Sequence, residues 1–309
     1  MHIAIAPSPL QRIDDAWLRD MGIQLYLKRD DLLHPTVQGN KWRKLKYNLL
    51  RAQELGKDTL LTFGGPYSNH IYATAAAAKL FGFNSIGIIR GEEPKDMSYT
   101  LKFVVSQGMQ LVYADRTTYR NKDDENYLHQ LQLQYPNAYI VPEGGTNQYA
   151  LRGVAELVQE IDVPFNYLCS ACGTGGTLAG MVAGLKGEKQ LIGFSSLKGD
   201  DALTEQIDKL VQGYAGESYK NYSVNFGYHF GGYAKVKPEL TDFIKAFKKQ
   251  HNVQLEPVYT GKMLFGIYDL LKQGYFPKGS TIIAMHSGGL QGLSGYLDWF
   301  PELGETFEL

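Results

Sequence analysis

Short apolar runs alternate with longer amphipathic segments along most of the chain. Apolar side chains three or four positions apart are typical of a helix with one buried face, whereas short apolar runs are typical of strands. The pattern predicts helices at residues 41–55, 69–81, 96–107, 123–134, 148–160 and 178–185. It predicts strands at residues 23–28, 59–63, 85–89, 110–113, 138–141, 166–171, 190–195 and 280–285, and the alternation continues through the C-terminal third.

Strands that alternate with helices indicate an α/β fold whose parallel sheets are covered by helices on both faces. Ligands in such folds bind beyond the carboxyl ends of the strands, where loops lead into helices. Three loops of this kind are rich in glycine, at residues 64–66, 173–176 and 288–289. These loops are therefore the first candidates for a ligand site.

The composition is that of an ordinary globular protein, with 44% hydrophobic and 20% charged residues. Because 31 basic side chains balance 32 acidic ones, neither a nucleic-acid partner nor a charged scaffold is indicated. No apolar run reaches the ~18 residues of a membrane helix. The first residues lack the basic and apolar regions of a secretory signal, so we expect a cytoplasmic protein without membrane contact.

Lys41 follows Gly-Asn at the opening of the helix predicted at residues 41–55. A lysine fixed at a helix start beside a loop suits a nucleophile that forms a Schiff base with an aldehyde cofactor. The alternative is a solvated basic helix start, because further cations follow at Arg43, Lys44 and Lys46. Cations oppose the helix dipole at an N-terminus, so the cluster is easier to explain if an anion binds there.

Ser68 and Asn69 stand between a Gly-Gly turn and the helix predicted at residues 69–81. Their side chains can bind either the first N–H groups of the helix or a ligand, and a helix cap with no other role remains an alternative. A Ser-His hydrolase is disfavoured. The G-x-S-x-G elbow is missing, and Ser68 and His70 lie too close in sequence at a helix start to form a triad pair readily.

A run of glycine and threonine follows the strand predicted at residues 166–171. Exposed N–H groups in such a strand-to-helix turn bind phosphate. No lysine follows the run as in a Walker loop, and Leu178 replaces the third glycine of the dinucleotide fingerprint, so a phosphate monoester fits better than a nucleotide. A tight packing turn is the alternative. Cys169 and Cys172 have C-x-x-C spacing, but Cys169 falls inside the strand, so we expect both to be buried packing residues.

Hydroxyl groups occur in three further segments: Gly-Gly-Tyr at Tyr233, Pro-Val-Tyr-Thr at Tyr259 and Thr260, and His-Ser-Gly-Gly at Ser287. Hydroxyls at such places can meet a substrate or a ring nitrogen. With 21 tyrosines in the chain, each of these segments alone is a weak signal.

Taken together, these segments resemble the aminocyclopropanecarboxylate (ACC) deaminase and D-cysteine desulfhydrase family. The resemblance extends from Lys-Arg-Asp-Asp at residues 28–31, through Gly-Asn-Lys at Lys41, to His-Ser-Gly-Gly at residues 286–289. It implies a pyridoxal 5'-phosphate (PLP) enzyme with the tryptophan-synthase-β-like α/β fold, PLP fold type II, in which two parallel-sheet lobes enclose the cofactor. The residues agree, since such a cofactor needs an amine, a phosphate loop and an amide donor.

The resemblance also implies roles for individual residues. Lys41 would carry the cofactor, Lys44 would assist its phosphate, and Asn69 would bind its phenolic oxygen. The implied cofactor-binding residues are Lys41, Lys44, Asn69, Cys172, Gly173, Thr174, Gly175, Gly176, Thr177, Thr260 and Ser287. The implied catalytic residues are Lys41, Ser68, Tyr233 and Tyr259. No metal ligand is implied.

Two positions bear on the substrate. Deaminases that open the cyclopropane ring resemble one another in having Glu after Pro-Val-Tyr and Leu after the last His, where this chain has Thr260 and Ser287. The small hydroxyls indicate the desulfhydrase side, with a D-amino acid as the expected substrate. ACC deaminase is the alternative within the family, and a catalytically silent small-molecule-binding protein is the alternative from another class. A nucleotide-binding oxidoreductase is disfavoured by the incomplete glycine fingerprint.

The expected architecture has two domains. Residues 1–43 and 146–309 are predicted to form a large cofactor-binding domain, and residues 44–145 a small domain inserted into it. The family resemblance further implies a homodimer.

Overall fold

The computed structural model describes Ile3, residues 6–199 and residues 202–307. Within these residues ten strands form two sheets. In chain order the strands are β1 (Leu10–Ile13), β2 (Gln24–Lys28), β3 (Thr59–Gly64), β4 (Asn84–Arg90), β5 (Met109–Ala114), β6 (Ala138–Val141), β7 (Tyr167–Cys172), β8 (Gln190–Ser195), β9 (Tyr222–Asn225) and β10 (Thr281–Met285). The larger sheet has the order β1-β2-β10-β7-β8-β9, and the smaller one the order β5-β4-β3-β6.

Helices connect most of these strands. In chain order they are α1 (Ala16–Asp20), α2 (Asn40–Glu54), α3 (Asn69–Phe81), α4 (Tyr99–Ser106), α5 (Arg116–Tyr119), α6 (Glu125–Gln134), α7 (Gln148–Gln159), α8 (Gly176–Leu185), α9 (Leu203–Ala215), α10 (Pro238–His251) and α11 (Thr260–Lys272). In the described part of the chain, no helix is both long and apolar enough to cross a membrane.

The predicted α/β class with parallel sheets is confirmed, with one exception at the edge of the larger sheet. Strand β1 pairs antiparallel with β2, from Leu10 opposite Lys28 to Ile13 opposite Leu25. All other pairings among the described strands are parallel. The hydrophobic pattern did not predict β1, because its four residues include Gln and Arg and are mostly only half-buried.

Helix boundaries follow capping residues more closely than hydrophobic spacing. Helix α3 has the predicted bounds, because Ser68 caps it and Gly82 ends it in the left-handed conformation. Helix α4 begins at Tyr99, whereas the sequence pattern placed its start at Asp96. The Ser98 side chain accepts the N–H of Leu101 at 3.2 Å, which fixes the later start.

All four strands of the smaller sheet come from residues 59–141, inside the segment predicted as an inserted domain. Helix α2 crosses the predicted boundary between residues 43 and 44 and packs closely on α7. A side chain at Gly153 would overlap the Arg43 carbonyl oxygen, so the two backbones touch there. The domain boundaries remain a prediction. Residues 1, 2, 4, 5, 200, 201, 308 and 309, which the predicted large domain includes, lie outside the described residues.

A buried ion network fixes the start of α2. The Arg43 guanidinium, 1% exposed, donates two hydrogen bonds to Asp30 at 2.6 and 2.8 Å. It donates two more to Glu160, after α7, at 2.6 and 2.8 Å. Lys28 also contacts Glu160 at 2.8 Å. Although burial alone would raise it, Arg43 and then Lys28 hold the pKa of the Glu160 carboxyl below its ordinary value. The network therefore joins β2, α2 and α7.

Replacing Arg43 by an apolar side chain of similar length tests this network. Arg43→Met leaves the buried Asp30 carboxylate without a cationic partner and Glu160 with Lys28 alone, so we expect the free energy of unfolding to fall by ~3–5 kcal/mol. The control is Lys46→Met, which removes a partly exposed pair with Glu156 and should cost under ~1 kcal/mol. Denaturant titration of both cofactor-free variants measures the difference. Equal losses in the two variants would contradict the assigned role of Arg43.

Candidate active site

The first turn of α2 is docked against the loop that follows β10. The Asn40 N–H donates to the Ser287 carbonyl oxygen at 3.3 Å. Gly39 has a φ of 62°, and a side chain there would overlap the same carbonyl. Only glycine permits this close approach, which places Lys41 directly beside Ser287.

The amine of Lys41, a half-buried residue, differs from the amines of three buried lysines. Among the described residues it has neither a hydrogen bond nor an ion pair, whereas Lys28, Lys44 and Lys262 all donate to backbone carbonyl oxygens. Burial lowers the pKa of Lys41 to about 8. A larger fraction of the amine is therefore neutral than in a solvated lysine, as a nucleophilic lysine requires.

A pocket adjoins Lys41 and contains several of the predicted residues. Its lining is polar on most sides and consists of Thr36, Gln38, Asn40, Lys41, Asn69, Tyr72, Ala73, Ser287, Gly289 and Gln291. Gln291 donates to Asn69 Oδ1 at 2.5 Å, so the Asn69 amide nitrogen keeps its N–H groups for another acceptor. The structure thus brings Lys41, Asn69 and Ser287 together.

Ser68 caps α3 at the edge of this region. Its Oγ accepts the backbone N–H groups of His70 and Ile71 at 3.2 and 3.3 Å. The His70 ring is buried and lies 2.8 Å from Thr62 Oγ1. Ser68 and His70 therefore do not form a nucleophile–base pair, as expected. The Ser68 hydroxyl proton remains available to a ligand.

The glycine-rich loop ends at the N-terminus of α8. The helix begins at Gly176, and its capping residue Gly175, with a φ of 77°, has no side chain to bind the first N–H groups. Two polar contacts hold the loop: Thr174 Oγ1 lies 2.9 Å from Thr146 Oγ1, and Asn40 Nδ2 donates to Thr177 Oγ1 at 2.8 Å. Free N–H groups at a helix start form a site for phosphate.

Lys44 lies against this loop. Its buried ammonium donates to the Gly144 carbonyl at 2.9 Å and to Thr146 Oγ1 at 3.2 Å. A Cβ at Gly176 would lie 3.0 Å from Lys44 Nζ. Burial, and after it the charge of Lys41, lowers the pKa of Lys44 well below its ordinary value. A bound phosphate would supply the negative charge that this amine lacks.

The explanation of the cationic helix start was only partly right. Two of the four cations have carboxylate partners within the protein, since Arg43 pairs with Asp30 and Glu160 and Lys46 pairs with Glu156. Among the described residues only Lys41 and Lys44 of the cluster have no carboxylate partner. An external anion is therefore indicated for two of the four cations.

The two predicted tyrosines contact each other edge to face, and Tyr259 lies beside the glycine-rich loop. The ring centroids of Tyr233 and Tyr259 are 6.1 Å apart, with an edge-to-face angle of 65°. A Cβ at Gly173 would lie 3.2 Å from the Tyr259 ring. Burial and then Tyr233 raise the pKa of Tyr259 well above its ordinary value, so its hydroxyl stays protonated at physiological pH.

Thr260 and Cys172 are buried residues whose groups are engaged within the protein. The Thr260 hydroxyl donates to Glu256 Oε1 at 3.0 Å. The Cys172 carbonyl accepts from Ser196 at the end of β7. Cys169 and Cys172 are three positions apart in β7 and so project from opposite faces of the sheet. Burial raises the pKa of the Cys169 thiol, as expected for a packing residue.

The model of the family described as pyridoxal-phosphate dependent enzyme matches residues 2–288. A putative 1-aminocyclopropane-1-carboxylate deaminase of Pyrococcus abyssi is 32% identical over 299 residues, which cover 92% of this chain and 90% of that protein. A mitochondrial bifunctional D-cysteine desulfhydrase/1-aminocyclopropane-1-carboxylate deaminase of Arabidopsis thaliana is 31% identical, covering 97% of this chain and 80% of that protein. The chain belongs to the PLP-dependent ACC deaminase/D-cysteine desulfhydrase family.

The fold of this PLP enzyme supports the same assignment. The crystal structure of an ACC deaminase homologue superposes with a TM-score of 0.85 at 29% identity, covering 96% of this chain and 94% of the other. The predicted fold type II is therefore confirmed. The site also fits the cofactor chemically, because Lys41 offers an amine without a partner and α8 offers uncapped N–H groups beside Lys44.

Sequence reasoning missed three side chains of this PLP enzyme that support the site. Gln291 orients Asn69, Glu256 caps the start of α11, and Lys262 donates to the Gly232 carbonyl at 2.8 Å. Glu256 had at most a weak local signal, since it lies four positions before α11 and the usual capping residues are Ser, Thr, Asp and Asn. Gln291 and Lys262 had none, because their partners lie far away in sequence.

A methyl group at Gly176 tests the phosphate cradle. In Gly176→Ala the new Cβ would lie 2.6 Å from Thr146 Oγ1 and 3.0 Å from Lys44 Nζ, so both groups must move. We expect the dissociation constant for PLP to rise about tenfold or more, equal to ~1.4 kcal/mol. The control is Gly213→Ala in α9, whose methyl meets only Gln148 Nε2 at 3.6 Å. Equal affinities in both variants, measured by equilibrium dialysis, would reject the cradle.

Proposed function

We propose that the protein is a D-cysteine desulfhydrase-like lyase. It converts D-cysteine and water into pyruvate, ammonia and hydrogen sulfide by α,β-elimination. The Cα proton leaves first, and the sulfur departs from Cβ as hydrosulfide. The proposal is supported by the family, by the geometry around Lys41, and by the hydroxyl residues Thr260 and Ser287 at the two positions that bear on the substrate.

The residues around Lys41 have defined roles in this proposal. Lys41 would hold PLP, and once the substrate amine has displaced it, its free amine would accept the Cα proton of the substrate. Burial lowers the pKa of the free amine to about 8, which leaves a neutral fraction near physiological pH. When bound, PLP supplies an aldehyde for attachment and a ring that withdraws electrons. The N-terminus of α8 and Lys44 bind the phosphate. Asn69 donates to the phenolic oxygen, and Ser68 donates to the substrate.

In this proposal Tyr233 and Tyr259 contact the substrate. Tyr259 lies against Gly173 and keeps its proton, and its hydroxyl is hydrogen-bonded to Tyr233. In the proposal this hydroxyl turns from Tyr233 to donate to the substrate carboxylate or to the departing sulfur. Although the residue is 47% exposed, desolvation of its hydroxyl raises the pKa of Tyr233, and the hydrogen bond with Tyr259 opposes this rise.

The absence of a carboxylate at position 260 is the observation that carries the substrate preference. A carboxylate beside the pyridine nitrogen keeps that nitrogen protonated and strengthens the electron sink. Thr260 offers no charge. The buried carboxylate next to it, Glu256, is occupied by the N–H groups of residues 258–260 and by the Thr260 hydroxyl. Elimination of hydrosulfide tolerates a weak sink, since the leaving group itself accepts the electrons.

ACC deaminase is the second candidate, because the Pyrococcus abyssi relative carries that name. The two activities differ in their demand on the ring. Opening of the cyclopropane has no Cα proton to remove and must draw electrons through the ring, so it requires the stronger sink.

We predict that kcat/KM for pyruvate release from D-cysteine exceeds that for 2-oxobutanoate release from ACC by about tenfold or more, equal to ~1.4 kcal/mol. Both substrates are measured on one preparation of the holoenzyme. Lys41→Ala serves as the blank for contaminating activities, and L-cysteine as the stereochemical control. An efficiency on ACC equal to or above that on D-cysteine would refute the proposal.

A further inference from the structure

Tyr233 lies in a short loop with an unusual backbone. Phe230 and Ala234, on either side of it, have positive φ values of 53° and 58°, and Gly231 and Gly232 have values of 100° and 121°. Side chains with a Cβ disfavour this region, so such a conformation persists only where surrounding contacts enforce it. Contacts with the rest of the protein, and not the conformational preferences of its own residues, therefore hold the loop that carries Tyr233.

Two side chains hold the loop, one on each side of Tyr233. Lys262 Nζ, in the first turn of α11, donates to the Gly232 carbonyl at 2.8 Å. The Tyr296 hydroxyl, just after the 3-10 turn Leu290–Gly295, donates to the Ala234 carbonyl at 3.1 Å. Lys262 is only 2% exposed, so its bond to Gly232 is shielded from water. The carbonyl groups before and after Tyr233 are thus both anchored.

The Tyr233 side chain is fixed mainly by Tyr259, to which it is hydrogen-bonded. The residue is 47% exposed, and its ring contacts the edge of Tyr259, which lies against Gly173 at the start of the phosphate loop. Behind the loop a pocket opens between residues 227–231 and the side chains of Lys237, Glu239 and Phe265. On the side of this pocket the loop is not closely packed, so it has space into which it could move.

We propose that Lys262 and Tyr296 are positioning residues that hold Tyr233 over the substrate site through the backbone carbonyls of Gly232 and Ala234. The inference rests on the proposed function, in which Tyr233 meets the substrate. It predicts that loss of either donor releases the loop and weakens substrate turnover. It also predicts that the cofactor stays in place, since neither donor lies in the Lys41 pocket.

The test compares Tyr296→Phe and Lys262→Met with the control Lys272→Met, an exposed lysine at the end of the same helix. Amide exchange of Gly231, Gly232 and Lys235, which are hydrogen-bonded within the loop, is measured in the cofactor-free proteins. We expect exchange there to accelerate about tenfold or more in both variants and to stay unchanged in the control. This measurement does not depend on activity. If Lys262→Met does not fold, Tyr296→Phe alone provides the test.

Activity is then measured in a double-mutant cycle with Tyr233→Ala. We expect Lys262→Met and Tyr296→Phe to lower kcat/KM about tenfold alone, with PLP affinity unchanged, and to have little further effect when Tyr233 is already absent. Unchanged amide exchange, or losses of activity that simply add to that of Tyr233→Ala, would overturn the positioning role. Full activity of Tyr233→Ala itself would instead reject the role of Tyr233 in the proposed function.

Discussion

The position of the first turn of α2 depends on one buried guanidinium. Arg43 is bonded to Asp30 after β2 and to Glu160 after α7, and the same turn carries Gly39, Asn40, Lys41 and Lys44. A buried charge with four directional bonds cannot shift without losing them, and the loss is costly in a low-dielectric interior. A slide or rotation of the helix would break these bonds. Lys41 lies at the pocket, and Lys44 lies against the glycine-rich loop at residues 173–177.

The sequence was enough to predict the parts of the candidate site that lie in short contiguous motifs. Lys41, Ser68, Asn69 and residues 173–177 could be found because helix starts and glycine-rich turns have local signatures. The family resemblance supplied Tyr233 and Tyr259. The same local reasoning treated the cations at the start of α2 as one cluster, because it could not show that Arg43 pairs with Asp30 and with the distant Glu160, or that Lys46 pairs with the distant Glu156.

The remaining parts of the site depend on contacts that only the folded chain creates. Gln291 and Asn69 are 222 positions apart in the chain. Lys262 donates to a backbone carbonyl, and because every residue has such a group, the residue types of the loop do not indicate this bond. The edge strand β1 was missed for a similar reason, since its pairing with β2 rather than its composition makes it a strand. Such features follow from packing between segments, and hydrophobic periodicity reports only on each segment by itself.

The central claim is that Lys41, and no other buried lysine, carries the cofactor. Lys262 is the most informative competitor, because burial lowers its pKa to about 8 as well, yet its amine is bonded to the Gly232 carbonyl. Borohydride reduction of the PLP-loaded protein, followed by proteolysis and mass spectrometry, identifies the lysine directly. The account predicts a pyridoxyl adduct on Lys41 alone. An adduct on Lys44 or Lys262 in place of Lys41 would contradict it.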